Sequence, residues 1–125
     1  MLAAKQKGRF QHKYRGQRGM RALCHSDLIA EGQSKGFERD GVRLFAVRKQ
    51  GRVYAYRNEC PHLGINLEWL DDQFLDADGC LIQCAMHGAL FLIEDGQCIS
   101  GPCQGQALQA VPCEERDGEV WVHLN

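Results

Sequence analysis

Two short stretches, CPHLG at 60–64 and CAMHGALF at 84–91, each place a cysteine and a histidine almost side by side. The pairs are Cys60-Pro61-His62 and Cys84-Ala85-Met86-His87, and the 21 residues 63 to 83 lie between them. Mixed pairs constrain a chain more than the same residues scattered singly. Each stretch has to become a tight loop, and the two loops have to face a common point. A Cys2His2 zinc finger usually groups its cysteines in one loop and its histidines elsewhere. Two mixed loops suit a site with two different ends, with both sulfurs at one metal and both imidazoles at another. Gly64 and Gly88 follow the histidines closely. Glycine permits the tight backbone such loops need, with N–H groups available to an anionic centre.

Length and composition set the surroundings. A chain of 125 residues fits one domain. Its apolar share of 44% and charged share of 25% are those of a globular protein, not of a disordered chain or a nucleic-acid binder. No apolar run approaches the ~20 residues of a membrane span, and the N-terminus has no apolar signal-peptide core. The expected compartment is therefore the cytoplasm. There the seven cysteines stay reduced unless they bind metal or do redox chemistry. Their odd number also argues against a complete disulfide framework. Charge is uneven. Residues 1–19 carry Lys5, Lys7, Arg9, Lys13, Arg15 and Arg18 and no acid. Of the fifteen basic side chains nine remain beyond residue 19, against all sixteen acidic ones, a balance of minus seven. Segment 1–19 reads as a mobile basic arm. Met20 is an alternative start, and an RNA-binding arm or an Arg-rich, acid-poor mitochondrial-type presequence are the functional readings of the same residues.

From residue 20 onward, short β-like runs are punctuated by Gly, Asp and Asn. VRLFAVRKQGRVYAY (42–56) predicts a hairpin turning at Gln50-Gly51, ALFLIEDGQCI (89–99) one at Asp95-Gly96, and LQAVPCEERDGEVWVHL (108–124) one at Asp117-Gly118. This spacing predicts an all-β sandwich or small barrel. One short helical turn is expected near SDLIAEG (26–32), capped by Ser26 or Asp27. Segment 64–79 reads as an acidic loop, with a short helical piece around Leu67–Leu70 as the alternative.

A centre with one thiolate-ligated and one imidazole-ligated iron is a particular kind of [2Fe–2S] cluster. CPHLG and CAMHGALF resemble the two cluster loops of the Rieske [2Fe–2S] proteins. SGPCQGQAL (100–108) is similar to the Gly-Pro loop that covers the cluster from a third side, and the run to Trp121 to the closing hairpin of the base. The resemblance spans roughly residues 20–124. It implies an all-β Rieske fold: an antiparallel β-sandwich base, 20–57 and 106–124, with an inserted cluster-binding subdomain at about 58–105. It implies that Cys60 and Cys84 bind the inner iron through sulfur and that His62 and His87 bind the outer iron through Nδ1. The 21-residue spacer is longer than in many stand-alone members, which leaves the path of the acidic loop open.

Other residues have simpler readings. Cys24, Cys80, Cys98, Cys103 and Cys113 are expected as small core or strand residues. Cys103, after Pro102 in the covering loop, is placed near the cluster without being a ligand, and Cys80 is the alternative ligand in a shifted register. His12, His25 and His123 read as structural or solvated, and Trp69 and Trp121 as core or cover. Asp71, Asp72, Asp76 and Asp78 read as a solvated loop face, with docking to a basic redox partner as the functional alternative.

The resemblance implies an electron carrier, not an enzyme: a soluble, monomeric Rieske-type ferredoxin between an NAD(P)H-linked reductase and a terminal oxidoreductase such as an oxygenase, with no nucleic-acid or membrane partner. The chain has no room for a mononuclear iron domain and no G-x-G-x-x-G fingerprint. The small subunit of an NADH-dependent nitrite reductase and a zinc-binding structural or redox-sensing module are the alternatives. In quinol-oxidising Rieske proteins each cluster loop carries an extra cysteine and the two form a disulfide; those positions here are Ile65 and Met86.

High-potential members also place a serine and a tyrosine after the second histidine, and both hydroxyls donate to cluster sulfurs. The same register here reads Ala89 and Phe91. A charge-assisted hydrogen bond is worth roughly 1.5–3 kcal/mol, and 59 mV corresponds to about 1.4 kcal/mol for one electron. Two missing donors therefore lower the potential by roughly 100–250 mV. The expected midpoint is about −150 mV, at the low end of the Rieske range. Redox titration followed by EPR checks it; a midpoint above about +100 mV contradicts it, and the double change Ala89→Ser with Phe91→Tyr should raise the value.

Overall fold

The computed structural model describes residues 20–124 apart from positions 62, 63, 69 and 87. His62, His87, Trp69 and the basic segment 1–19, which includes His12, thus lie outside the described residues. The described chain forms β1 Met20–His25, β2 Ser34–Arg39, β3 Val42–Lys49, β4 Arg52–Arg57, β5 Leu81–Gln83, β6 Leu90–Leu92, β7 Cys98–Ser100, β8 Cys113–Arg116 and β9 Glu119–His123. They make three antiparallel three-stranded sheets, ordered β1-β9-β8, β2-β3-β4 and β5-β6-β7. The all-β expectation holds, and so do all three hairpins, at Lys49↔Arg52, at β6–β7 and at Arg116↔Glu119. A fourth hairpin, β2–β3, turns at Asp40-Gly41, where both residues have positive φ. Its Asp-Gly pair was legible, but SKGFER is too polar to read as a strand.

The one helical element is a 3-10 turn at Ser26–Leu28, as expected in place. Its cap is His25, and the His25 side chain makes no capping hydrogen bond. Ser26 instead accepts at its carbonyl from Arg48 Nη2 at 3.0 Å. Arg48 also donates to the Ile29 carbonyl at 2.6 Å and pairs with Glu115 at 2.7 Å. One side chain thereby ties β3 to β8 and to the turn after β1.

The β2-β3-β4 sheet is the partition of the molecule. Leu44, Phe45, Ala46 and Val47 are consecutive and fully buried, because side chains alternate across a strand and both faces here are covered. Leu44 and Ala46 pack with Leu23, Val111, Val120 and Val122 in the base core. Phe45 and Val47 face the other way, into a second core with Phe74, Ile82, Phe91 and the cysteines of the paired motifs.

The acidic segment 64–79 is a loop whose described residues form no helix, and Asp71 and Asp78 are exposed as expected, but it is not solvated throughout. Phe74 is fully buried and stacks on Phe45 with centroids 4.3 Å apart. Leu75 bridges Ile82, and the Gln83 N–H donates to the Phe74 carbonyl at 2.9 Å, so the segment lies along β5. Asp72 accepts from the Gly36 N–H at 2.8 Å and Asp76 accepts from the N–H groups of Cys80 and Leu81. Two of the four aspartates therefore hold backbone.

Asn58 is the one buried polar side chain among the described residues. Its Oδ1 accepts from the Leu67 N–H at 2.8 Å and its Nδ2 donates to Glu68 at 2.8 Å. It thus pins both sides of the loop that carries Cys60. Two stability measurements test this scaffold. Phe74→Ala should cost about 3–5 kcal/mol in denaturant unfolding, as for other buried aromatic deletions. Asn58→Ala strands the buried Leu67 N–H and should cost about 1–3 kcal/mol; Asn58→Asp sets a carboxylate against Glu68, so its deficit should grow as pH rises through the carboxylate range.

Candidate metal centre

The two motif loops are built on the same closure. In the first, the Cys60 N–H donates to the Ile65 carbonyl at 2.7 Å and the Gly64 N–H donates back to the Cys60 carbonyl at 2.6 Å. In the second, the Cys84 N–H donates to Ala89 at 2.9 Å and the Gly88 N–H to Cys84 at 2.8 Å. Each loop therefore starts at a cysteine and turns on a glycine four residues on. Gly64 and Gly88 have φ of 71° and 70°, a conformation that disfavours any side chain. The glycines permit the tight loops expected of them, and their own amides close the turns. The loops are also joined directly, because the Ala85 N–H donates to the Leu67 carbonyl at 2.9 Å.

Each loop grows from a different sheet. Residues 58–59 carry the chain from β4 into the first loop, and the second is the connection between β5 and β6, which pair at Gln83↔Leu90. Cys60 and Cys84 are fully buried and share one apolar cluster with Leu67, Ala89, Phe91, Cys98 and Cys103. Their partners in the motif, His62 and His87, lie outside the described residues. Two enclosed sulfurs on matched, mutually bonded loops are the donor chemistry that the thiolate-ligated iron of a [2Fe–2S] cluster requires, and these residues fit it.

A third segment closes over both loops. The loop after β7 folds back through bonds from the Gln106 N–H to Cys103 and from the Cys98 N–H to Gln106. Gly101 lies so close to the second loop that a Cβ there would sit 2.8 Å from the Ala89 Cα. Cys103 is 1% exposed, with its Sγ 3.4 Å from the Cys98 Sγ, and both belong to the buried cluster that holds Cys60. Burial pushes its thiol up to about 12, and its hydrogen bond to Cys98 pushes the same way.

The remaining cysteines separate cleanly. Cys80 is exposed and its thiol faces the Asp78 carbonyl at 3.6 Å. It is not the core residue expected and does not join Cys60 and Cys84. Cys24 and Cys113 pack half-buried against the base core, and burial raises both thiols, that of Cys113 to about 11. Ile65 is partly buried against the core, whereas Met86 is exposed. Ala89 and Phe91 are fully buried and bring no hydroxyl to the site. Sequence reasoning placed Cys103 near the paired cysteines, but missed Asn58 as the brace of the first loop and the Cys103–Cys98 contact. No motif carries either, since both depend on contacts between segments.

Comparison with known proteins agrees with this geometry. A model of the Rieske [2Fe-2S] domain matches residues 19–114. Cholesterol 7-desaturase of Caenorhabditis elegans is 31% identical over 116 residues, which are 86% of this chain but 26% of that protein. The chain thus spans about a quarter of the desaturase. The ferredoxin component of the alkene monooxygenase system of Xanthobacter autotrophicus is 30% identical over 100 residues, 80% of this chain and 77% of that one. Among solved structures, a chain in the complex of reduced oxygenase and oxidised ferredoxin of carbazole 1,9a-dioxygenase superposes with a TM-score of 0.70 and 26% identity, covering 85% of this chain and 94% of that one. Matched cysteine loops, an all-β frame and these likenesses lead to one assignment: the chain belongs to the Rieske [2Fe–2S] domain family, whose cofactor is one [2Fe–2S] cluster.

Proposed function

We propose that Cys60, His62, Cys84 and His87 hold the cluster and that the chain is a non-catalytic carrier of one electron, taken from an NAD(P)H-linked reductase and delivered to a terminal oxygenase. The observation that carries this reading is the pair of equivalent closed loops, each burying one motif cysteine in a common core. When bound, the cluster supplies a single reversible electron. The chain's own residues hold it rigid and dry: Asn58 and the Ala85–Leu67 bond fix the loops relative to each other, and Phe91, Leu67 and Cys103 exclude water from the sulfurs. A carrier needs no substrate pocket, only a fixed centre close to one surface.

The alkene monooxygenase ferredoxin and the ferredoxin of the carbazole dioxygenase complex are matched over most of their length, which supports a carrier feeding an oxygenase. The carrier acts as a monomer in the cytoplasm, where a reducing poise keeps the cysteines outside the motif as thiols. Among the described residues no helix is long and apolar enough to cross a membrane.

Absorbance, metal analysis and EPR test the ligand set. Brown protein with a broad visible band and a Rieske-type EPR signal is expected. Cys60→Ser or Cys84→Ser should abolish stable cluster assembly, and changes at His62 or His87 should remove the Rieske-type signal. Cys80→Ser should leave it intact. Colourless protein with stoichiometric zinc, or bleaching by Cys80→Ser but not Cys84→Ser, would overturn the assignment.

A further inference from the structure

We propose that the outer face of the β5-β6-β7 sheet is a docking surface for a redox partner whose own surface is apolar at its centre and ringed by Lys and Arg. The proposal rests on the reading of the chain as a carrier between proteins, and it names the surface chemistry of the partner.

The observation is a strand that is apolar on both faces. An antiparallel strand covered on one face only alternates apolar and polar residues. β6, Leu90–Leu92, reads LFL. Phe91 points inward, where it is fully buried and lies opposite Ile82 and Cys98. Leu90 and Leu92 take the other face, opposite Gln83 and Leu81. Leu81, Leu90 and Leu92 are half-buried and belong to neither core. Ile99, at the irregular step of β7, is 43% exposed. β3 shows what such a pattern calls for in this molecule. Its run Leu44–Val47 is also apolar on both faces, and a core lies over each. Among the described residues no second core lies over the outer face of β6.

Charge decides what fits there. Residues 58–107 carry eight carboxylates and no Lys or Arg. Four of them flank the Leu81↔Leu92 end of the sheet: Asp76 and Asp78 before β5, Glu94 and Asp95 after β6. Glu94 is paired with Lys49 at 2.6 Å. Asp78 and Asp95 are exposed and take part in none of the ion pairs of the described residues. The opposite end of the sheet is the second motif loop, which the pair Gln83↔Leu90 closes. A protein seated on this face therefore meets apolar side chains at the centre, carboxylates at one end and the loop of Cys84 and His87 at the other. A second copy of the chain would set one acidic subdomain against another, which repulsion disfavours. A basic-rimmed protein meets no such repulsion, and its charges steer it onto the face.

Ferric cytochrome c is the probe, because its exposed haem edge is ringed by lysines and accepts one electron. Iron, acid-labile sulfide and the midpoint are measured first on every variant and should match the wild type. Stopped flow then follows one electron passing from the reduced, desalted protein to the ferric haem. Leu90→Gln with Leu92→Gln should lower the second-order rate constant about tenfold. Asp78→Lys with Asp95→Lys should lower it about tenfold at low ionic strength and flatten its salt dependence. The control Asp27→Lys with Glu114→Lys makes the same change of net charge at exposed positions of the base, and it should lower the rate less than about twofold. The exposed rim positions keep the test decisive where the leucine variant does not accumulate. Loaded leucine and rim variants that transfer electrons at the wild-type rate overturn the proposal. A control that falls as far as the rim variant also overturns it, because net charge alone then acts. Two other occupants would do the same: a wild-type dimer in sedimentation that Leu90→Gln with Leu92→Gln disperses, or a rate that rises when residues 1–19 are removed from the wild type but not from the leucine variant. Wild-type protein that holds no cluster overturns the carrier reading itself, and the proposal with it.

Discussion

Two backbone closures carry the centre. In each loop a cysteine N–H bonds five residues ahead and a glycine N–H bonds back to the same cysteine. This fixes both cysteines at the mouth of a turn before any metal is considered. The histidines sit at different offsets, two residues after Cys60 and three after Cys84. The glycines sit at the same offset in both, at φ near 70°. The mixed pairs are thus not two copies of one motif. They are one backbone device carrying two different side-chain orders, which lets a pair of sulfurs lie inward at one end of the site.

That device needs a wall behind it. Burying two thiolates is unfavourable unless they are paired with positive charge, which a bound metal supplies. The wall is the β2-β3-β4 sheet, covered on both faces. Phe45 stacks on Phe74 on the cluster side, while Leu44 and Ala46 seal the base on the other. Tyr56 spans the same core and donates to the Ile93 carbonyl at 2.6 Å, its phenol raised by burial. It ties β4, which leads into the first loop, to the hairpin beyond the second. A centre placed on such a partition has small reorganisation on gaining or losing charge, because the groups around it are held by packing from both sides.

Much of this was legible in the sequence because it is local. Gln50-Gly51 and Asp117-Gly118 between alternating runs named their own hairpins, and the cysteine and histidine spacing named the two loops. What failed to show was set by distant contacts. Ser34–Arg39 is a strand because β3 offers it an edge, not because SKGFER has a β pattern. Cys98 reads as a filler cysteine, yet chain reversal after β7 brings the Cys103 Sγ to within 3.4 Å of it. Asn58 carries no signal in the sequence, and only the return of the chain at Leu67 makes it a buried brace.

The acidic segment shows how placement changes the meaning of charge. As a sequence it is a run of carboxylates beside a redox centre, and so a force against accepting an electron. In the structure Asp72 holds the Gly36 amide and lies 3.6 Å from the Lys35 ammonium, while Asp76 caps the turn into β5. A carboxylate compensated by backbone N–H groups and a cation exerts a reduced field at a distance, and salt screens most of the rest beyond about 10 Å. A donor in contact with a ligating sulfur suffers neither attenuation and acts in a low-dielectric interior where electrostatic terms are larger. The balance of effects therefore shifts from the charge count of the loop to the few atoms around the sulfurs. There, among the buried residues packed with Cys60 and Cys84, the chain presents the apolar Ala89 and Phe91 and no carboxylate.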